Sequence, residues 1–112
     1  MRTPEGSVLA SILEYLKLRR VYAWRVNSGA TKVPASEGTR ERFIRFGFSG
    51  CSDIIGILDD GRLLAIEVKS ARGVATADQL VFLAEIAKRG GVAFVARSIE
   101  DVDQHLFCKE GK

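Results

Sequence analysis

The feature that most constrains this chain is the segment Asp53–Lys69, in which two short apolar runs flank Asp59-Asp60-Gly61. A three-residue loop with glycine third favours a type I turn followed by a G1 bulge, the glycine taking the left-handed conformation. That turn pairs Leu58 with Arg62, Ile57 with Leu63 and, further down, Asp53 with Glu67. Directly opposed residues share a face with Cβ atoms ~5 Å apart, and Lys69, two positions on, lies on that face as well. Ile54, Leu64, Ile66 and Val68 fill the opposite face. A two-residue Asp60-Gly61 turn would instead send Asp53 and Glu67 to opposite faces, so the construction stands or falls with the register.

Two carboxylates and one ammonium therefore converge at the open end of the hairpin. Opposed like charges repel, and burial sharpens the conflict. A hard divalent cation removes it, since Mg²⁺ takes one or two carboxylates together with waters and a substrate phosphate. Such an ion polarises a phosphodiester and activates water, while a neighbouring lysine orients that water and offsets transition-state charge. An isolated Glu-x-Lys on a strand is usually a solvated ion pair of little worth. Here the strand Leu63-Leu64-Ala65-Ile66-Glu67-Val68-Lys69 is otherwise apolar on both faces, which makes its terminal charges harder to dismiss.

Around the hairpin, the pattern reads α-β-(β)-β-β-α-β-α. Thr3-Pro4-Glu5 has the form of a helix start, and Val8, Leu9, Ile12, Leu13 and Leu16 recur at helical spacing behind it. Residues Val21 to Val26 read as a strand with Tyr22, Trp24 and Val26 on one face. Residues 27–42, with Gly29, Pro34 and Gly38, read as a long loop, and Phe43 to Phe46 as a short strand. Thr76-x-x-Gln79 is a capping-box pattern opening a helix to Arg89, with Leu80, Leu83, Ala84 and Ala87 as its apolar stripe. Val92 to Ala96 is a strand of the kind buried on both faces, and Ser98 caps a last helix reaching about Leu106. Glu5 falls on the buried stripe of the first helix, either as a dipole partner at its N-terminus or as a site residue. Gln79 is accounted for by the capping box, with a supporting role in the site as the alternative.

Composition narrows the chemistry. At 112 residues, 46% hydrophobic and 28% charged, the chain suits one soluble domain spanning 1–112. No apolar run approaches the roughly 20 residues of a membrane span, and the N-terminus lacks a signal-peptide core, which points to an intracellular, cytoplasmic protein. His105 is the single histidine, and Cys51 and Cys108 lie far apart. Histidine-based metal sites, zinc sites and Ser-His or Cys-His triads have little to build on, so catalysis would fall to carboxylates and lysines. The net charge of +3 is a mild excess in favour of a polyanionic partner.

In order and spacing, Glu5, Gly50-Cys51-Ser52-Asp53, Glu67-Val68-Lys69 and Gln79 resemble the PD-(D/E)XK nucleases, in particular the stand-alone virus-type replication-repair nuclease (VRR-NUC) branch. Arg25-Val26-Asn27-Ser28-Gly29 is similar to that branch too, and the likeness runs from the first helix to Val92–Ala96. It implies an α/β fold with a restriction-endonuclease-like core, a small mixed sheet flanked by helices (α-β-β-β-α-β-α). It implies Asp53, Glu67, the Val68 carbonyl and Glu5 as ligands of Mg²⁺ or Mn²⁺, Lys69 as catalytic lysine and Gln79 as support. Small stand-alone members of this kind, of bacterial or phage type, are homodimers acting on branched DNA such as Holliday junctions. Asn27, Lys32, Arg40, Arg42 and Arg45 would then contact DNA, and no organic cofactor is implied. The same core would serve a flap-directed or restriction-type nuclease or, with catalysis lost, a DNA-binding module. The one departure is Ser52, where the family usually has proline before the aspartate, a position that shapes the turn.

Overall fold

The computed structural model describes residues 3–26, 30–33, 35, 38, 42–45 and 50–108, with segments 30–33 and 42–45 described as backbone. In chain order the elements are α1 (Pro4–Leu18), β1 (Tyr22–Arg25), β2 (Ala30–Val33), β3 (Arg42–Arg45), β4 (Ile54–Ile57), β5 (Leu63–Val68), α2 (Ala77–Lys88), β6 (Val92–Ala96) and α3 (Ile99–Leu106). The main sheet has four strands in the order β1-β4-β5-β6. Its first two pairings are antiparallel, and β5 and β6 run parallel across the α2 crossover, so the sheet is mixed as expected.

The helices begin where their caps dictate. The Thr3 hydroxyl accepts the Gly6 N–H at 2.9 Å ahead of Pro4, and the Ser98 hydroxyl accepts the Asp101 N–H at 3.2 Å. At Thr76 both halves of the capping box form: the Gln79 N–H donates to the Thr76 hydroxyl at 3.2 Å, and the Thr76 N–H donates to Gln79 Oε1 at 2.8 Å.

The predicted loop 27–42 is corrected in part, because residues 30–33 form β2, paired with β3 as Ala30 to Arg45 and Val33 to Arg42. The missed signal is the β-branched pair Thr31 and Val33, which the surrounding glycine and proline punctuation obscured. The short strand expected at Phe43–Phe46 spans Arg42–Arg45, one residue earlier.

Alternation along β5 divides the interior. Leu64, Ile66 and Val68 join Ile54 of β4, Phe94 and Ala96 of β6, Ile12 and Leu16 of α1 and Val102 of α3 in one fully or nearly dry cluster. The Tyr15 hydroxyl donates to Asp103 Oδ1 at 2.5 Å and ties α1 to α3 on this side. The other face is covered by α2, which packs on β5 and β6 and buries Leu83. Away from α2, Tyr22, Trp24 and Ile57 remain partly open, Tyr22 and Trp24 meeting edge to face at 5.6 Å. Ala65, Glu67 and Lys69 belong to the α2 face, Glu67 and Lys69 at the end of the sheet where β5 and β6 finish.

Candidate active site

The register holds. Ile57 pairs with Leu63 and Ile54 with Ile66. The Leu58 N–H bonds the Arg62 carbonyl at 2.9 Å, and Gly61 sits at φ 92. Continued by one residue, this register sets Asp53 opposite Glu67, as the turn chemistry requires. The ladder ends there in an informative way. Hydrogen-bonded pairs alternate along an antiparallel pair, so the next β5 donor is Val68. Its N–H bonds not a β4 carbonyl but Asp53 Oδ2, at 2.8 Å. The Asp53 carbonyl in turn accepts the Val26 N–H at 2.7 Å, so the aspartate is held from both neighbouring strands.

Glu67 is 1% exposed and Lys69 9%. Lys69 Nζ lies 3.2 Å from Glu67 Oε2, while Glu67 Oε1 is buried and has no hydrogen-bond partner among the described residues. Burial, and then the Asp53 charge, push the Glu67 carboxyl up from 4.5 to about 7 against the opposing pull of Lys69. Cys51 is half-buried near the same charges; burial first, and Glu67 and Asp53 after it, raise its thiol.

Supporting contacts are local. Ser52 is fully buried and its hydroxyl donates to the Ile54 carbonyl at 3.0 Å, so the residue standing in place of proline braces the approach to Asp53. Gly50 adopts φ 81, and a Cβ there would lie 2.5 Å from the Asp78 carbonyl oxygen. Only glycine lets this segment dock on the first turn of α2. Gln79 spends its side-chain oxygen on the capping box. Glu5 is half-buried in the first turn of α1. Among the described residues no three His, Cys, Asp or Glu side chains come together as a ready cation site. α1 packs on the Leu64–Ile66–Val68 face of the sheet and α2 on the other. Asn27 and Arg40 lie outside the described residues, and Lys32, Arg42 and Arg45 fall on the backbone of the β2–β3 hairpin.

Sequence reasoning passed over Arg97, at the end of β6. Its guanidinium bonds the carbonyls of Ser70 and Gly73, in the turn that follows Lys69. Only the adjacency of β5 and β6 reveals it.

The site thus gathers a deeply buried glutamate, with one oxygen unbonded among the described residues, an aspartate across from it and a lysine beside it. The family model of the VRR-NUC domain matches residues 3–100. The chain belongs to the VRR-NUC family. VRR-NUC domains are nucleases that act on DNA, and nuclease domains of their superfamily generally use divalent metals. No curated protein matches the chain. Among the described residues of this VRR-NUC domain, no helix is long and apolar enough to cross a membrane.

Proposed function

We propose that the 112 residues form a single Mg²⁺- or Mn²⁺-dependent endodeoxyribonuclease domain that hydrolyses phosphodiester bonds in branched DNA and works as a homodimer on four-way junctions. The observation that carries this reading is Glu67, buried beside Asp53 and Lys69 with one oxygen unsatisfied among the described residues. Burial of that carboxylate is unfavourable without a cation, and an oxygen-only donor set suits a hard one. Asp53, Glu67 and the Val68 carbonyl would hold it, with Glu5 as a further acid at the end of α1. When bound, such a cation supplies Lewis-acid polarisation of the phosphodiester and of water.

The protein's own groups do the rest. Asp53, fixed by the Val68 N–H, keeps one oxygen engaged and the carboxyl oriented. Lys69 is a compact point charge on a flexible stem; it orients the attacking water and offsets charge that develops on the phosphoryl oxygens. Gln79, its oxygen committed to Thr76, retains its amide hydrogens for a supporting contact. Lys32, Arg42 and Arg45 of the β2–β3 hairpin, with Asn27 and Arg40 beside them in sequence, would engage phosphates and set the register on DNA. Paired incisions across a junction need two sites related by symmetry, which a homodimer provides.

Labelled duplex, flap, fork and four-way junction substrates, each with Mg²⁺ or Mn²⁺, test the reading alongside light scattering for the oligomeric state. Cation-dependent cleavage concentrated on the four-way junction by a dimer is expected. Cleavage confined to flaps or duplex would replace the junction assignment, and DNA binding without cleavage in either metal would remove the nuclease.

A further inference from the structure

We infer that Arg97 is a positioning residue for Lys69: its guanidinium holds the 70–73 turn closed on the aliphatic stem of Lys69 and so fixes where the ammonium sits. This deepens the reading of Lys69 as the lysine of the reaction and rests on it. The geometry begins with the backbone. β5 and β6 pair in parallel with Val68 opposite Ala96, and the Lys69 N–H donates to the Ala96 carbonyl at 3.0 Å. Arg97 therefore leaves β6 beside the point where Lys69 leaves β5.

From there Arg97 Nη1 lies 2.6 Å from the Ser70 carbonyl and 2.6 Å from the Gly73 carbonyl, with that of Ala71 at 3.5 Å. The turn closes on itself through the Gly73 N–H and the Ser70 carbonyl at 3.1 Å. It also lies beside the lysine stem. A Cβ at position 73 would stand 3.4 Å from both Cβ and Cδ of Lys69 and 3.3 Å from Ser70 Oγ. The guanidinium thus holds the carbonyl of a residue that lies beside the methylenes that set the direction of the ammonium.

Arg97 is itself anchored, because its N–H donates to Asp101 Oδ2 at 2.8 Å in the capped first turn of α3. A lysine stem is rich in rotamers, and any held geometry must overcome that freedom. Charged donors make the stronger bonds to carbonyls, and a planar fork serves several acceptors where an ammonium is only a point donor. An arginine suits this position for both reasons.

The test compares Arg97→Ala and Arg97→Lys, each alone and combined with Lys69→Ala, in the full chain. Two quantities are read: kcat and KM for DNA cleavage, and the rate at which acetic anhydride modifies Lys69 relative to exposed Lys88, by mass spectrometry. Arg97→Ala is expected to lower kcat roughly tenfold to a hundredfold with KM within about twofold, the signature of a misplaced group. It should cause no further loss once Lys69 is alanine, because the two act as one unit. Lys69 should acetylate several-fold faster relative to Lys88, with Arg97→Lys intermediate in both readouts. An equal loss in the Lys69→Ala background, or unchanged acetylation of Lys69, overturns the proposal. Should Arg97→Ala fail to fold by circular dichroism, Arg97→Lys decides, and wild-type values in both readouts would refute it. If the wild-type chain does not cleave DNA, the nuclease reading fails, while the acetylation ratio still decides whether Arg97 holds Lys69.

Discussion

The two ends of one hairpin each carry an ion pair between residues two positions apart, and the two pairs differ in almost everything else. At the turn, Arg62 Nε meets Asp60 Oδ2 at 2.8 Å, with the side chains 53% and 57% exposed. At the open end, Lys69 Nζ meets Glu67 Oε2 at the longer distance of 3.2 Å, with the side chains 11% and 2% exposed. Acidity moves in opposite directions. The Arg62 N–H first, and its guanidinium after it, hold Asp60 below its usual value, whereas burial pushes Glu67 up to about 7. The shorter pair is solvated and satisfied; the longer one is dry and leaves an oxygen without a partner among the described residues. Depth in the fold, rather than contact distance, separates a pair that trims a turn from one that can do chemistry.

The largest expected difference between the two ends is catalytic. Lys69→Ala should lower cleavage by roughly 10²–10³-fold, the usual loss on removing a group that stabilises transition-state charge. Arg62→Ala should stay within about twofold under the same conditions, as expected of a solvated charge remote from the reacting groups. Rates for both variants on the best substrate of the panel check this. Equal losses at the two ends would break the comparison and remove the role given to Lys69.

Next in size is the response to pH. The Glu67 carboxyl binds its proton more tightly in the folded chain, at about 7, than its ordinary 4.5. The metal-free fold is therefore favoured while Glu67 is protonated. Its contribution is complete below about 4.5, declines as pH rises toward 7 and stays at the lower level above that. A shift of that size corresponds to at most about 3 kcal/mol. Denaturant titrations in a chelator at pH 5 and pH 8 should show this loss, and Glu67→Gln should flatten it. Because Mg²⁺ or Mn²⁺ prefers the ionised carboxylate, either cation should raise Tm more at pH 8 than at pH 5. The same slope in Glu67→Gln would show that the buried end does not store this strain.

Legibility in the sequence divides along the same line as the two ends. The turn was readable because Asp59-Asp60-Gly61 fixes the backbone locally, and the register then carries Asp53 opposite Glu67 by counting alone. The capping box at Thr76 and the stripe of α1 are local in the same sense. What escaped depends on contacts between distant segments. β2 is defined by its pairing with β3, and its alternation is too short to stand out. Arg97 bonds carbonyls some 24 to 27 positions away in sequence, and no residue pattern encodes carbonyl acceptors.

Two glycines sharpen the contrast at intermediate size, since both adopt positive φ but in different surroundings. At Gly61 a Cβ meets nothing within 4 Å, so Gly61→Ala incurs only the left-handed backbone, about 1–2 kcal/mol. At Gly50 the added carbon would also lie 2.5 Å from the Asp78 carbonyl, so Gly50→Ala must shift the segment that leads to Asp53. Gly50→Ala should therefore lose more stability than Gly61→Ala in chemical denaturation, and lose cleavage where Gly61→Ala largely keeps it. Equal effects on both measures would mean that the docking on α2 does not hold the site.

The smallest expected effect lies at the exposed pair itself. Asp60 Oδ1 accepts the Arg62 N–H at 3.1 Å and Oδ2 accepts from Arg62 Nε at 2.8 Å. Asp60→Asn keeps an oxygen acceptor for that N–H and removes the charge, so it separates turn-capping from ion pairing. If the charge matters little in water, Asp60→Asn should leave Tm within experimental scatter and insensitive to added salt, while Asp60→Ala, which loses the acceptor as well, lowers it measurably. A clear drop in Asp60→Asn that vanishes at 1 M salt would reverse the assignment. The turn end would then store electrostatic energy of its own, and burial would no longer be what sets the two ends apart.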